Sequence, residues 1–318
     1  MQAKQRINMF SGFTAILYYE FLWNLRKKKT IGLFILIFAL VTLFVFLPPI
    51  LAYYYGPPLQ ADPTFVYTST SVLTGILLFL VAVATTMNTI SGEFETGSIV
   101  PLLTKPISKT TIFLGKIAAA FLTLLGLFAF LGVYTTIGGV LTRGPQESLQ
   151  VVPIGVLGLT VATTVWAAIV IFLGTLSKNS LVAALGSFGV YLGVTIAGSL
   201  VAVFLGQSAI LFYAPGAGAS GSTLSCAGEI TGPGAGSTIN FGSGTDWLGR
   251  LVVEWILHPG NVLNYCGFRF RGGNTETFLL SSDPISTVAL RSIGVSLAYI
   301  VGLLGISWFA FKRSQILE

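Results

Sequence analysis

The hydrophobic positions of this chain fall in long uninterrupted runs. A helix needs about 20 apolar residues to cross a bilayer, and six runs meet that length: residues 31–52, 65–90, 111–141, 152–176, 181–205 and 288–311. A soluble protein that buries six helices is the alternative, but these runs leave no polar face for water. The pattern therefore predicts an all-α polytopic membrane protein with six transmembrane helices.

A shorter segment before the first run has a different pattern. In residues 9–23 the apolar positions recur at helical spacing on one face, interrupted by Glu20 and Asn24, and four consecutive cations follow, beginning with Arg26 and Lys27. Such charges are costly at membrane depth. We predict an N-terminal amphipathic elbow helix along the inner leaflet. The alternative is a frayed start of the first span.

Composition and charge agree with a membrane protein and give it an orientation. The chain is 53% hydrophobic and 9% charged, whereas about 25% is charged in an ordinary soluble domain. With a cytoplasmic N-terminus, twelve Lys and Arg residues fall inside and five outside, as the positive-inside rule requires. We expect a plasma-membrane protein with both termini in the cytoplasm. The topology explains the net charge of +6, and we expect no nucleic-acid partner.

The runs divide the chain into three parts. Residues 1–205 would form the elbow helix and the first five spans, with a polar loop at 92–110. Residues 206–287 would form a large Gly/Ser-rich extracellular segment before the last helix, and 288–318 the sixth span with a cytoplasmic C-terminus. The outer segment is the largest part expected to lie in water.

The outer segment carries two weaker signals. The Gly-, Ser- and Thr-rich composition of residues 215–244 favours a loop or irregular β structure. The spacing of Trp247, Leu251 and Trp255 predicts a short amphipathic helix that begins near Asp246. We expect this helix on the outer membrane face or on the outer ends of the spans.

The only two cysteines, Cys226 and Cys266, both lie in the outer segment. An even count on the oxidising side of a membrane favours a disulfide. The bridge would close a loop of about forty residues and contribute roughly 3–4 kcal/mol in the chain-entropy model. Two unpaired thiols are the alternative. Because His258 is the only histidine, no histidine-based metal site is expected.

The sequence contains no recognisable catalytic or nucleotide-binding motif. It has no phosphate loop of the Gly-x-x-x-x-Gly-Lys-Ser/Thr type, no His-Glu-x-x-His and no Gly-x-Ser-x-Gly. Ionisable residues inside the spans, the usual mark of ion coupling, are almost missing. We expect a non-enzymatic chain without a cofactor of its own, driven by another protein.

Residues 92–116 form a polar island between two uncharged runs, and their order is specific. It resembles the loop after the second span in the permeases of ATP-binding-cassette transporters of the type 2 exporter kind. The elbow helix, the six spans and the outer segment before the last span extend the resemblance over nearly the whole chain. Val100 and Pro101 depart from the usual polar pair before the leucines, so the shape of the loop is left open. The matching residues are Glu93, Glu95, Gly97, Ser98, Leu102, Leu103, Thr104, Pro106, Ser108, Lys109, Gly115 and Lys116.

This resemblance implies the membrane subunit of an ATP-driven exporter. It implies as partners a separate ATPase subunit that binds ATP-Mg, and a second permease, either an identical or a related chain. Apolar anchors of a short loop helix would dock in a groove of the ATPase, oriented by charges. The implied elbow residues are Glu20, Arg26 and Lys27, and the implied coupling residues are Glu93, Glu95, Gly97, Leu102, Leu103, Lys105, Pro106 and Lys109.

Two other functions, and a simpler interpretation of the polar island, stay open from the residues alone. A membrane scaffold could pass the motion of an ATPase to an extracellular partner without moving a solute. An ion-coupled transporter is disfavoured by the scarcity of charge in the spans. The polar island could also be a solvated connection with no partner.

Overall fold

A computed structural model of the protein describes residues 9–56, 61–69, 73, 75–97, 108–205, 209–222, 240–271 and 274–313. Within this part of the chain, six helical segments are long and apolar enough to cross a membrane, with Ile76–Thr96, which contains two of the helices named below, counted as one. The prediction of a helical polytopic membrane protein with six spans is confirmed. The helices are α1 (Met9–Arg26), α2 (Lys28–Tyr55), α3 (Phe65–Thr68), α4 (Ile76–Thr86), α5 (Ser91–Thr96), α6 (Lys109–Arg143), α7 (Val152–Ser177), α8 (Ser180–Leu205), α9 (Leu248–Leu257) and α10 (Ile285–Arg313).

The amphipathic segment before the first span forms helix α1. Lys27 has an extended backbone, with φ −64° and ψ 125°, and so separates α1 from the first span. Helix α1 packs along the first half of α6, where Gly115 removes the side chain that would block Ile16. A Cβ at Gly115 would lie 2.8 Å from Cγ2 of Ile16. The glycine thus allows the two helices to approach closely.

The second predicted span, residues 65–90, is not one continuous helix. It contains α3 and α4, and between them Gly75 has φ +58°, a conformation that favours glycine. The hydroxyls of Thr68 and Ser69 both donate to the carbonyl of Phe65, at 3.0 and 2.5 Å. Such hydroxyls offer the backbone an alternative to helix continuation. An apolar run predicts membrane depth but not an unbroken helix.

The bundle has two ends that differ in what they carry. One end contains α1, α5, the start of α6, the α7–α8 junction and the end of α10, and we call it the elbow end. The opposite end is the sheet end. There the strands β1 (Ser220–Ser222), β2 (Asn240–Gly242), β3 (Val262–Arg271) and β4 (Asn274–Pro284) form an antiparallel sheet in the order β2-β1-β3-β4.

The long β3–β4 pairing was not predicted. Irregular β structure was expected only for residues 215–244, whereas the pairing runs in register from Val262 opposite Pro284 to Arg271 opposite Asn274, with one irregularity after Tyr265. The all-α prediction therefore describes the membrane part, and the outer segment adds a sheet to it. Leu263 and Tyr265 are fully buried and pack against the start of α10.

The amphipathic helix predicted near Asp246 is α9, but it lies deeper than the outer ends of the spans. Gly249, in its first turn, packs on Gly158 of α7 so closely that a Cβ at Gly158 would lie 2.5 Å from Cα of Gly249. Helix α9 then runs outward, and Val253 packs near Val151, which directly precedes the start of α7. Paired glycines let the two backbones touch, so α9 inserts into the bundle.

Candidate functional site

Helix α5 occupies the beginning of the polar island, and glycine ends it. Gly97 adopts the left-handed conformation, with φ +67°, and its N–H donates to the carbonyl of Phe94 at 3.4 Å. This is the usual way in which glycine closes a helix, which gives Gly97 a structural role in the motif. The three residues Glu93, Phe94 and Glu95 each contact a different part of the bundle.

Glu93 joins α5 to α1 and α6 through a lysine. Lys116 Nζ lies 2.5 Å from Oε1 of Glu93 and 2.5 Å from Oε1 of Glu20. The Lys116 side chain is only 3% exposed, against 13% for Glu20 and 20% for Glu93. A cation so deeply buried needs charged partners, and here two carboxylates supply them. We call Glu20, Glu93 and Lys116 the triad.

The polar residues that interrupt the apolar face of α1 belong to this network. Asn24 is buried, and its Oδ1 accepts a hydrogen bond from Lys27 Nζ at 2.7 Å. Lys27 in turn lies within electrostatic range of Glu20 and Glu93. Arg26 is exposed and is outside the network. Of the predicted elbow residues, the structure thus brings Glu20 and Lys27 towards the polar island.

Phe94 joins α5 to an aromatic cluster. Its ring lies 6.1 Å from that of Phe311 near the end of α10, and Phe311 lies 5.6 Å from Phe113 of α6. The ammonium of Lys178, in the α7–α8 junction, lies 5.7 Å from the centre of the Phe94 ring, within range of a cation–π contact. Sequence reasoning did not identify Phe94, although its place between two matched glutamates was a signal.

Glu95 joins α5 to the start of α8. Its Oε1 accepts from the backbone N–H of Ser180 at 2.9 Å, and its Oε2 from the hydroxyl of Ser180 at 2.6 Å. A carboxylate here satisfies one of the N–H groups that every helix start leaves unpaired, and it is favoured by the helix dipole. Glu95 therefore connects the second span to the fifth.

The start of α6 is fixed by two further residues of the island. Ser108 caps the helix, because its hydroxyl accepts from the N–H of Thr111 at 3.1 Å. Lys109 Nζ donates to the carbonyl of Lys312 at 3.4 Å, and Trp308 Nε1 donates to the hydroxyl of Thr110 at 3.2 Å. The third and the sixth spans are thus held together next to α5.

A sequence model described as ABC-2 family transporter protein matches residues 14–316. The chain belongs to the ABC-2 transporter family. No curated protein matches the chain significantly. Membership confirms the family resemblance drawn from the polar island, and ABC-2 chains are membrane subunits of transporters. The six spans and the position of the island after the second one agree with this assignment.

Part of the ABC-2 loop lies outside the described residues. Leu102, Leu103, Lys105 and Pro106 belong to residues 98–107, so their coupling role stays a prediction. The disulfide stays a prediction as well: Cys266 belongs to β3, but Cys226 lies outside the described part. Among the described residues, no group of three or more His, Cys, Asp or Glu side chains could hold a metal ion.

Sequence reasoning missed a buried acid in this ABC-2 chain. Asp246 is 2% exposed, and its Oδ1 accepts from Trp166 Nε1 at 2.8 Å. Trp166 lies fourteen residues into α7, about 21 Å from its start at 1.5 Å per residue. Burial raises the pKa of the Asp246 carboxyl from 3.8 to about 7. The signal was Trp166 itself, since a buried indole N–H needs an acceptor.

Proposed function

We propose that this ABC-2 protein is the membrane-spanning permease subunit of an ATP-driven exporter. Residues 92–110 receive the motion of a separate ATPase subunit, which binds and hydrolyses ATP-Mg. One observation carries the proposal: three consecutive residues, Glu93, Phe94 and Glu95, hold four of the six spans and α1 at one point. A solvated connecting loop has no need of such contacts.

Each contact gives α5 a different way to move the bundle. In this proposal, a push on residues 98–107 reaches α5 through Gly97, which ends that helix. It reaches α6 through Ser108, which caps it. Through Glu93 it acts on α1 and α6, through Phe94 on α10, and through Glu95 on α8. Leu102 and Leu103 serve as the apolar anchors in a groove of the ATPase, and Lys105 and Lys109 orient them by charge. The chain itself supplies no chemistry, only coupling.

The orientation follows from the distribution of cations. The elbow end gathers Lys109, Lys116, Lys178 and Lys312 near the basic residues that follow α1, whereas the sheet end has fewer described cations. By the positive-inside rule, we infer that the elbow end, with both termini, lies on the cytoplasmic side of a cell membrane. An ATPase subunit binds there.

A second permease completes the transporter in this proposal. The apolar stretch of α7 is 78% buried within the chain, whereas that of α8 is only 6% buried. Large side chains such as Leu185, Ile196, Val203 and Phe204 lie exposed along α8. We place a second copy, or a related chain, against α8, with the substrate path between the two halves. If the permease works as a monomer, α8 faces lipid instead of a second permease.

The test is ATP-driven transport with a docking variant. The chain is purified with its ATPase subunit, reconstituted in inside-out vesicles, and compared with Leu103→Asp. We expect Leu103→Asp to lose the ATPase subunit and ATP-driven uptake together. The control Leu176→Asp places the same charge at an exposed position of the elbow end and should keep both.

Two results would contradict the proposal in different ways. If Leu103→Asp keeps the ATPase subunit at the wild-type stoichiometry, residues 92–110 are not the docking site. If the wild-type complex hydrolyses ATP but moves no solute and instead captures an extracellular partner, the chain is a scaffold that transmits motion. In the second case α5 still transmits the motion of the ATPase, but at the sheet end this motion acts on a partner protein instead of a solute.

A further inference from the structure

A cavity of about 300 Å³ opens between α1, α2, α4 and α6. Its walls are mainly apolar, with Leu25, Ile31, Phe34, Gly126 and Phe130 among them, and they carry three threonines, one of which is Thr85 of α4. The hydroxyl of Thr85 already donates to the carbonyl of Val81, so it presents no unpaired donor. Pockets that hold small organic ligands begin at roughly this volume. The cavity therefore suits a hydrocarbon chain better than a polar solute.

The mouth of the cavity faces the surroundings of the bundle. Leu25, Ile31 and Phe130, which line it, are each close to half exposed, at 46%, 45% and 46%. Together they come from three different helices, so the opening is lateral and lies between α1, α2 and α6. In a membrane, what enters from the side is lipid.

The cavity also lies next to a cluster of cations. Lys28 and Lys29 directly precede Thr30 and Ile31, which line it. Arg26 and Lys28 are exposed, whereas Lys27 is bonded to Asn24 and does not count towards this cluster. An apolar chain site whose entrance carries several Lys and Arg residues is complementary to a lipid with an anionic head group.

We propose that this cavity holds an acyl chain of an anionic phospholipid, whose phosphate lies at Lys28 and Lys29. The bound lipid fills the space between α1 and the spans, and Leu25 at its mouth follows Glu20 of the triad by five residues, about 7.5 Å of helix rise. The site is distinct from the docking of an ATPase, and it does not depend on the transport function proposed above.

Gly126 makes the proposal testable without disturbing the fold. A Cβ at this position would meet no atom within 4 Å, so a larger side chain would extend into the cavity. Gly126→Leu therefore fills the space that the acyl chain requires. Gly302, on α10, also has no neighbour within 4 Å of a Cβ. Gly302→Leu is thus a matched control that adds the same side chain elsewhere.

The experiment is a lipid titration followed by native mass spectrometry. The full chain is prepared in phosphatidylcholine nanodiscs that contain increasing phosphatidylglycerol, and the lipids retained on release are counted. We expect the wild type and Gly302→Leu to retain phosphatidylglycerol selectively. Gly126→Leu should lose it, and Lys28→Gln with Lys29→Gln should bind it about 30-fold more weakly.

Three outcomes would overturn the proposal. Equal retention of phosphatidylcholine by the wild type would show that the cations do not select the lipid. Unchanged retention by Gly126→Leu would show that the lipid binds elsewhere. Loss of a dimer in Gly126→Leu, with the bound lipid unchanged, would assign the cavity to an interface between two copies. Thermal unfolding of each variant verifies that the chain is folded before lipids are counted.

Discussion

The two ends of the bundle treat buried charge in opposite ways. At the elbow end, Lys116 is shared by Glu20 and Glu93, which come from separate elements. At the sheet end, the buried acid Asp246 has no cationic partner among the described residues, and its Oδ1 accepts from the indole N–H of Trp166 on α7. The charge of Lys116 thus joins separate helices. The carboxyl of Asp246, in contrast, can take up a proton and lies where α9 packs closely on α7.

This difference indicates where the molecule can move. The triad joins α1, α5 and α6 by long side chains, which keep contact while helices shift. The insertion at the sheet end depends on backbone contact between Gly158 and Gly249, which no side chain can adjust. Packed cores have few arrangements and transmit strain. We therefore expect motion to enter at the elbow end, while the sheet end moves with α7 as one unit.

The largest effect is expected at the triad. Lys116→Met leaves two carboxylates close together without their cation. Removing one partner of a buried ion network typically costs about 3–5 kcal/mol. We expect a lower midpoint of thermal unfolding in detergent, followed by tryptophan fluorescence. The triple variant Glu20→Gln, Glu93→Gln, Lys116→Met removes all three charges and should recover most of that loss. If Lys116→Met unfolds like the wild type, the triad does not hold α1 and α5 in place.

The next largest effect is expected at the sheet end, where the carboxyl of Asp246 should make the free energy of unfolding depend on pH. Because the pKa of Asp246 is raised from 3.8 to about 7, the folded chain binds more protons than the unfolded chain between those values. The free energy of unfolding should therefore fall as pH rises through this window, by roughly 4 kcal/mol in all. Unfolding midpoints between pH 4 and pH 8 measure it.

Asp246→Asn is the matched variant for this window. It keeps an oxygen that accepts from Trp166 but cannot ionise. We expect D246N to be more stable than the wild type at pH 8 and nearly equal to it at pH 4. A wild-type and variant pair that differ equally at both pH values would show that folding does not raise the pKa of Asp246.

A smaller effect tests the insertion of α9. Gly158→Ala puts a methyl group where the backbone of Gly249 lies, and overpacking of this kind costs about 1–3 kcal/mol. Gly302→Ala adds the same group in open space and should stabilise α10 by at most about 1 kcal/mol. Equal stability of the two variants, measured by denaturation in mild detergent with urea, would contradict a closely packed α9.

Much of the elbow end could be predicted from the sequence. The run lengths predicted six spans, and the apolar face interrupted by Glu20 and Asn24, with the cations that follow it, predicted a separate helix before the first span. The order of residues in the island predicted the family and included Glu93, Glu95 and Lys116. Such features are local, because spacing along one helix determines which residues share a face.

The rest depends on contacts between residues far apart in the chain. Asp246 and Trp166 are eighty residues apart, and Phe94 meets Phe311 only in the folded bundle. The β3–β4 pairing was missed because the composition of residues 215–244 confined the expectation of β structure to that stretch, whereas β3 begins after α9, at Val262. The break at Gly75 was missed because glycine is common in spans and only its backbone angle shows a break.

The central claim is that α5 transmits the motion of an ATPase through the triad, and one measurement tests it most directly. The triple variant Glu20→Gln, Glu93→Gln, Lys116→Met and the wild type are reconstituted with the ATPase subunit in nanodiscs, and ATP hydrolysis and ATP-driven uptake are compared. We predict that the triple variant folds and binds the ATPase subunit but loses uptake. Wild-type uptake by this folded, charge-free variant would contradict the claim.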